Sequence, residues 1–222
     1  MKIYDKKLAY PYFVWMTLFT VVPLLIVVYY AFTDGNGAFT MENLASISGY
    51  GSVFARSLLL ALIATVICLV LAFPIGYFLS RLRVNKQHIM LMLVMLPMWM
   101  NFLLRTYAWM SILENNGFIN GFFRSIGLIS FLQTHFGYTL DYIPLINTQG
   151  AIVLGMVYNF LPFMVLPIYN VLCKIDDNTI NAARDLGASF TQTLLWVWFP
   201  LSVPGIISGI TMVFVPSLTT FV

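Results

Sequence analysis

The sequence predicts an all-α integral membrane protein, a polytopic helical bundle, and three observations carry that reading. Hydrophobic residues make up 60% and charged residues only 9% of 222 positions, a balance that would leave a water-soluble domain of this size with large exposed apolar patches. Several apolar runs reach or exceed the roughly 20 residues that a helix needs to cross a bilayer. Basic residues are scattered at the ends of those runs and form no long patch, so the net charge of +3 gives no argument for nucleic acid.

The first expected span covers residues 10–33 and follows Lys2, Lys6 and Lys7. A cleaved signal peptide is the alternative, but its apolar region is usually about 7–15 residues, and no small-residue cleavage site follows here. The run therefore reads as a signal anchor. Asp34, Gly35, Asn36 and Gly37 make a turn-rich loop, with Glu42 its other acid. A second span, residues 55–80, ends at Arg81, Arg83 and Lys86, which the positive-inside rule assigns to the cytoplasm together with the N-terminus. The third, residues 89–113, is apolar except for Asn101 and Arg105.

Residues 114–148 form a long outer segment in which Phe118, Phe122 and Ile126 recur at four-residue spacing. That spacing fits a short helix lying in the membrane interface, and equally a loop folded over the outer helix ends. A fourth span, residues 149–173, delivers Lys174 to the cytoplasm. The fifth, residues 200–222, is still apolar at its last position, so a sixth span is expected and is absent from this sequence. Pro23, Pro74, Pro97, Pro162, Pro167, Pro204 and Pro216 fall inside spans and predict kinked helices. The whole of residues 1–222 reads as one transmembrane domain carrying a cytoplasmic loop at 174–199.

That loop is the one long polar interruption with a built pattern. Gly187 is a natural helix stop, because only glycine takes the left-handed conformation at little cost. Ser189 and Gln192 then form an S-x-x-Q capping box that restarts a helix. The expected shape is helix, sharp bend, helix. Ala182 and Ala183 offer a small-residue surface that another protein can approach closely, flanked by Arg184 and Asp185.

Catalytic chemistry has little to stand on. There is no G-x-x-x-x-G-K-[ST] loop, no G-x-G-x-x-G and no H-E-x-x-H, and His88 and His135 fall on opposite sides of the expected membrane. Cys68 and Cys173 lie within or at the end of spans and indicate neither a disulfide nor a metal site. No catalytic residue, cofactor or metal is therefore expected. An ion-coupled carrier would commonly place acids inside the bilayer, yet no Asp or Glu is central in any span, which favours energy borrowed from a partner. An ion-coupled carrier and a membrane enzyme or assembly factor remain the rival readings. For a translocation path the candidates are Asn101, Arg105 and Trp109, spaced by four on one helical face, and Asn159 in the fourth span. Arg105 also reads as an arginine reaching toward the headgroups beside Tyr107 and Trp109, and Asn159 and Asn170 as interhelical glue.

Asn181-Ala182-Ala183, then Gly187, then Val197 and Phe199-Pro200 resemble the EAA signature of ABC importer permeases, E-A-A followed by G and, after nine residues, I-x-L-P. Asn181 stands where the family usually has Glu, Val197 where it has Ile, and Phe199 where it has Leu. NAARDLGAS, FPLSVPGIISG and LLRTYAWMSILENNGFIN look like the spermidine/putrescine permease branch. The resemblance implies a type I importer permease of six helices. It also implies a homodimeric ABC ATPase, a second, related permease and an extracytoplasmic substrate-binding protein as partners in the cell membrane. The cargo it implies is a polyamine, with another small solute as the alternative. By the same resemblance, Asn181, Ala182, Ala183, Asp185 and Gly187 form the coupling helix that meets the ATPase, and Pro200 starts the next span.

Overall fold

The structure, a computed structural model, describes residues 10–35, 37–136 and 139–220. Lys2, Lys6, Lys7, Asn36 and the end of the fifth expected span lie outside the described residues. The described residues are helical apart from turns, loops and an isolated antiparallel bridge between Thr33 and Phe39. Among them four helices are long and apolar enough to cross a membrane, or up to five when a pair bent by 90° is taken as one broken span. The chain divides into two compact units, Met1–Ala55 and Arg56–Val222.

In the first unit, α1 (Tyr10–Ala31) carries one widened π turn at Thr17–Val21 and buries none of its side chains within the chain. An uncharged helix satisfies its own backbone, which is what the bilayer demands of a spanning segment. After α1, the Phe32 and Phe39 rings stack with centroids 5.9 Å apart. They close a loop in which Asp34 N–H donates to Ala38 O at 2.8 Å. Helix α2 (Glu42–Ser46) is tied back by Asn43, whose Nδ2 donates to the carbonyls of Tyr30 and Thr33, each at 3.2 Å.

Helix α3 (Gly51–Ser80) runs across the division and is described with the second unit. There follow α4 (Val84–Trp99), α5 (Phe102–Leu113), α6 (Phe118–Ser125), α7 (Leu128–Phe136), α8 (Gln149–Leu172), α9 (Asp177–Asp185) and α10 (Phe190–Thr220). The core is a three-helix contact among α3, α8 and α10, built on Cys68, Ala72, Val165, Ile168, Leu172, Ile206 and Val213. Lipid tails are as apolar as these side chains, so the helices are held by close packing and not by the hydrophobic effect.

Small residues make that packing close. Gly205 and Gly209 form a G-x-x-x-G stripe on the face of α10 that meets α8. A Cβ at Gly205 would stand 2.8 Å from the Pro167 carbonyl oxygen and 3.2 Å from Ile168 Cα. At Gly209 it would meet Met164 Sδ at 2.5 Å. Helix α3 contributes Ala61, Ala64, Ala72 and Gly76 to the same closeness.

The expected third span is not one helix. Helix α4 stops at Trp99 and α5 starts at Phe102, where the chain turns by 90°. Pro97 deprives the last turn of α4 of an N–H. Asn101 then leaves helical geometry (φ −57°, ψ 132°) and caps α5, its side chain accepting Leu103 N–H at 2.9 Å. Asn101 therefore does not continue a helical face with Arg105 and Trp109. A second difference concerns Pro200, which lies inside α10 and does not open it. The π turn at Leu194–Trp198, with Phe199 N–H donating to Leu194 O, widens the helix just before a residue that has no N–H to give.

Residues 114–148 hold two short helices, α6 and α7, and a return strand of loop pinned by one buried side chain. Asn120 Nδ2 donates to Glu114 O at 3.2 Å and Ile143 O at 3.0 Å, while its Oδ1 accepts Ile143 N–H at 2.9 Å. Asn120→Ala is expected to cost about 1–3 kcal/mol locally, since it strands a part-buried N–H and its carbonyl partners. Limited proteolysis in the 139–148 loop, faster in the variant while the spans stay intact, checks this.

Candidate functional site: a clamped knuckle and a cavity

Helix α9 is capped by Asp176, whose side chain accepts Asn178 N–H at 3.0 Å. It ends in the bend that glycine allows. Gly187 has φ +85°, its N–H donates to Arg184 O at 2.8 Å, and Ala188 N–H donates to Ala183 O at 3.1 Å. These two bonds make a Schellman motif, which satisfies carbonyls that the helix end would otherwise orphan. Two residues on, Ser189 N–H donates to Gln192 Oε1 at 2.8 Å and Gln192 N–H to Ser189 Oγ at 3.3 Å, the expected capping box. Asn181, Ala182, Asp185 and Gly187 are exposed and Ala183 is half-buried. Leu186 at the tip is 90% exposed, an apolar side chain set among polar ones.

The knuckle is polar outside and anchored beneath. Ile180, 2% exposed, is the one side chain of α9 buried in the α3–α8–α10 core. Arg81, just past the end of α3, donates from Nη1 to Asp177 Oδ1 at 2.7 Å, and its guanidinium carbon lies 4.1 Å from the centroid of the buried Trp198 ring. Tyr77 meets Trp198 edge-on at 5.2 Å and Phe190 at 6.2 Å. None of these contacts has a local signal, because Arg81 and Asp177 are far apart in the chain. Ile180 could have been found from sequence as the apolar residue of an otherwise polar helix.

The path candidates separate. Arg105, Trp109 and Asn159 line one cavity of about 450 Å³ between α5, α8 and the end of α10, together with Thr106, Thr148 and Thr220. Asn101 is not among its lining residues. Trp109 meets Tyr158 edge-on at 5.2 Å. Arg105 is held by three groups: its Nη1 donates to the Pro97 carbonyl at 2.9 Å, and its guanidinium lies 5.7 Å from the Phe102 ring and 5.9 Å from the Tyr158 ring. Its Nε is buried without a hydrogen-bond partner. The lining includes no carboxylate. Among the described residues, no three His, Cys, Asp or Glu side chains come together as metal ligands would.

A polytopic helical bundle with an anchored, exposed loop and a cavity beside its spans has the form of a membrane permease subunit. No family model matches the chain. Individual relatives do. The spermidine/putrescine transport system permease protein PotB of Escherichia coli K12 is 35% identical over 215 residues, covering 93% of this chain and 74% of its own length. The protein of the same name from Salmonella typhimurium SL1344 is 35% identical and covered over 71% of its length. A PotB homolog from Mycoplasma pneumoniae is 33% identical over 99% of this chain and 73% of its own length. The chain belongs to the PotB family of ABC transport permeases.

Proposed function

We propose that the chain is the permease subunit of an ATP-driven polyamine importer, with spermidine and putrescine as cargo and hydrolysis on a separate ATPase homodimer. The observation that carries the coupling is the knuckle, whose outer face is exposed while its inner face is locked into the three spans that would have to move. In this reading Asn181, Ala182, Ala183, Asp185 and Gly187 meet the ATPase, and Pro200 lies above them in α10. The partners are a second permease and an extracytoplasmic binding protein. The N-terminus and the 174–199 loop face the cytoplasm, as the placement of Arg81, Arg83, Lys86 and Lys174 supports. Helices α4 and α5 together form the third of five spans in one transmembrane domain of the type I importer kind.

Closure of an ATPase dimer on nucleotide needs a stiff element to push, and a short helix fixed at both ends serves. Shifting a two-state permease from 1:99 to 99:1 takes about 5.5 kcal/mol of differential contact. The cavity offers the aromatic side chains of Phe102 and Trp109 to an ammonium group. Its lack of a carboxylate favours a second reading, in which the cargo is another small solute.

Uptake of labelled spermidine and putrescine tests both. Cells without a polyamine importer, given the full gene with its ATPase, second permease and binding protein, are expected to accumulate label in an ATP-dependent, ionophore-insensitive manner. Ionophore-sensitive uptake that survives inactivation of the ATPase would replace the importer with an ion-coupled carrier. ATP-dependent transport of a different solute alone would leave the second reading.

A further inference from the structure

We propose that Arg81 ties movement of the knuckle to α3 and α10 together, beside the anchor that Ile180 makes in the core; this rests on the reading of the knuckle as the ATPase contact. Its side chain bridges three elements. The backbone holds it at the end of α3, where Arg81 N–H donates to Phe78 O at 3.2 Å, and the negative end of the helix dipole favours a cation there. The guanidinium then pairs with Asp177 in the first turn of α9 at 2.7 Å and lies over the Trp198 ring in the π turn of α10 at 4.1 Å. A displacement of α9 toward or away from the membrane therefore loads α3 and α10 together.

Energetics separate this role from stability. The Arg81 and Asp177 side chains are 35% and 74% exposed, and an ion pair so wetted adds little to folding. The knuckle has holds of its own: Ile180 buried beneath it, the glycine bend, and the Ser189–Gln192 capping box. Removing Arg81 should leave the knuckle folded and its docking face unchanged. What disappears is the planar contact on Trp198, which is directional and shielded because Trp198 is 2% exposed. Tyr77, one turn earlier on α3, packs against Trp198 and Phe190 and keeps the ring in place for the guanidinium.

The test is a full complex, with ATPase, second permease and binding protein, reconstituted in proteoliposomes, where uptake and ATP hydrolysis are measured side by side. Arg81→Gln is expected to retain the ATPase at wild-type stoichiometry and to go on hydrolysing ATP, while uptake per ATP falls about tenfold. Arg81→Lys, which keeps the charge for Asp177 but not the flat face for Trp198, is expected to fall between the two. Unchanged uptake per ATP in Arg81→Gln overturns the proposal. Loss of the ATPase from that variant also overturns it, by making Arg81 part of the docking surface, and so does loss of the chain from the membrane, by making it structural. A wild-type complex that holds no ATPase would instead remove the reading of the knuckle.

Discussion

A Gly187→Pro chain is expected to reach the membrane and to lose its ATPase. Proline fixes φ near −65°, whereas Gly187 stands at +85°, and it removes the N–H that donates to Arg184 O. The second bond of the bend, Ala188 N–H to Ala183 O, depends on the same geometry. Nothing lies within 4 Å of a Cβ at Gly187, so the effect comes from the backbone angle and the lost N–H and not from a steric clash. Forcing a residue out of its required region costs on the order of 1–3 kcal/mol, enough to depopulate the bent form by roughly fivefold or more. Gly187→Ala is expected to act in the same direction by about 1 kcal/mol. Ala183→Glu, which adds bulk and charge to the small-residue surface, should match Gly187→Pro while leaving the bend alone. Pull-down of the ATPase on the tagged permease, normalised to permease in the membrane fraction, is the measurement. Wild-type recovery of the ATPase with both variants would end the coupling role of the knuckle.

The other large effect belongs to the core. Gly205→Ala is expected to destabilise the chain more than Gly209→Ala, although both add one methyl group to the same stripe. At Gly205 the new atom meets the Pro167 carbonyl oxygen at 2.8 Å and Ile168 Cα at 3.2 Å, backbone atoms that move only if α8 and α10 part. At Gly209 the nearest atom is the sulfur of Met164, the far end of a flexible side chain, although the Met164 carbonyl follows at 3.3 Å. Overpacking costs about 1–3 kcal/mol, and the Gly205 variant should sit at the upper end. Gly205→Val should give little folded protein. Thermal melts of purified variants in one detergent, with membrane yield beside them, check the order; equal loss from both alanines would mean that the helices adjust as rigid bodies.

Length and apolarity are properties of a linear string, which is why an all-helical membrane protein is legible from residue types alone. Turn chemistry is equally local. A glycine that must take positive φ and an S-x-x-Q box announce the bend at Gly187 and the restart at Ser189, and both stand in the structure. The break between Trp99 and Phe102 is harder to read because apolar residues continue across it. Its two causes, a missing N–H at Pro97 and a capping side chain at Asn101, lie four residues apart in a run that hydropathy treats as uniform. Pro200 misleads in the opposite direction: a proline that reads as a helix start is absorbed by the π turn before it. The Gly205/Gly209 stripe is a local signal, yet which helix it meets is not local. The Arg81–Asp177–Trp198 clamp is tertiary in every part, and no spacing rule reaches across it.

The elbow at Asn101 also changes how the charge of Arg105 should be counted. Pro97 is in the last turn of α4, where the aligned peptide dipoles amount to about half a negative charge, and its carbonyl also accepts Met100 N–H at 3.4 Å. Arg105 delivers its guanidinium to that carbonyl at 2.9 Å, so the helix end offsets part of the cation at a distance. A polyamine entering the cavity would meet a partly offset cation, with the aromatic side chains of Phe102 and Trp109 left as its nearest attraction. Any rearrangement that straightens α4 into α5 would pull the carbonyl away and leave the arginine bare. The same side chain would then repel a polycation less while the elbow is bent and more once it opens.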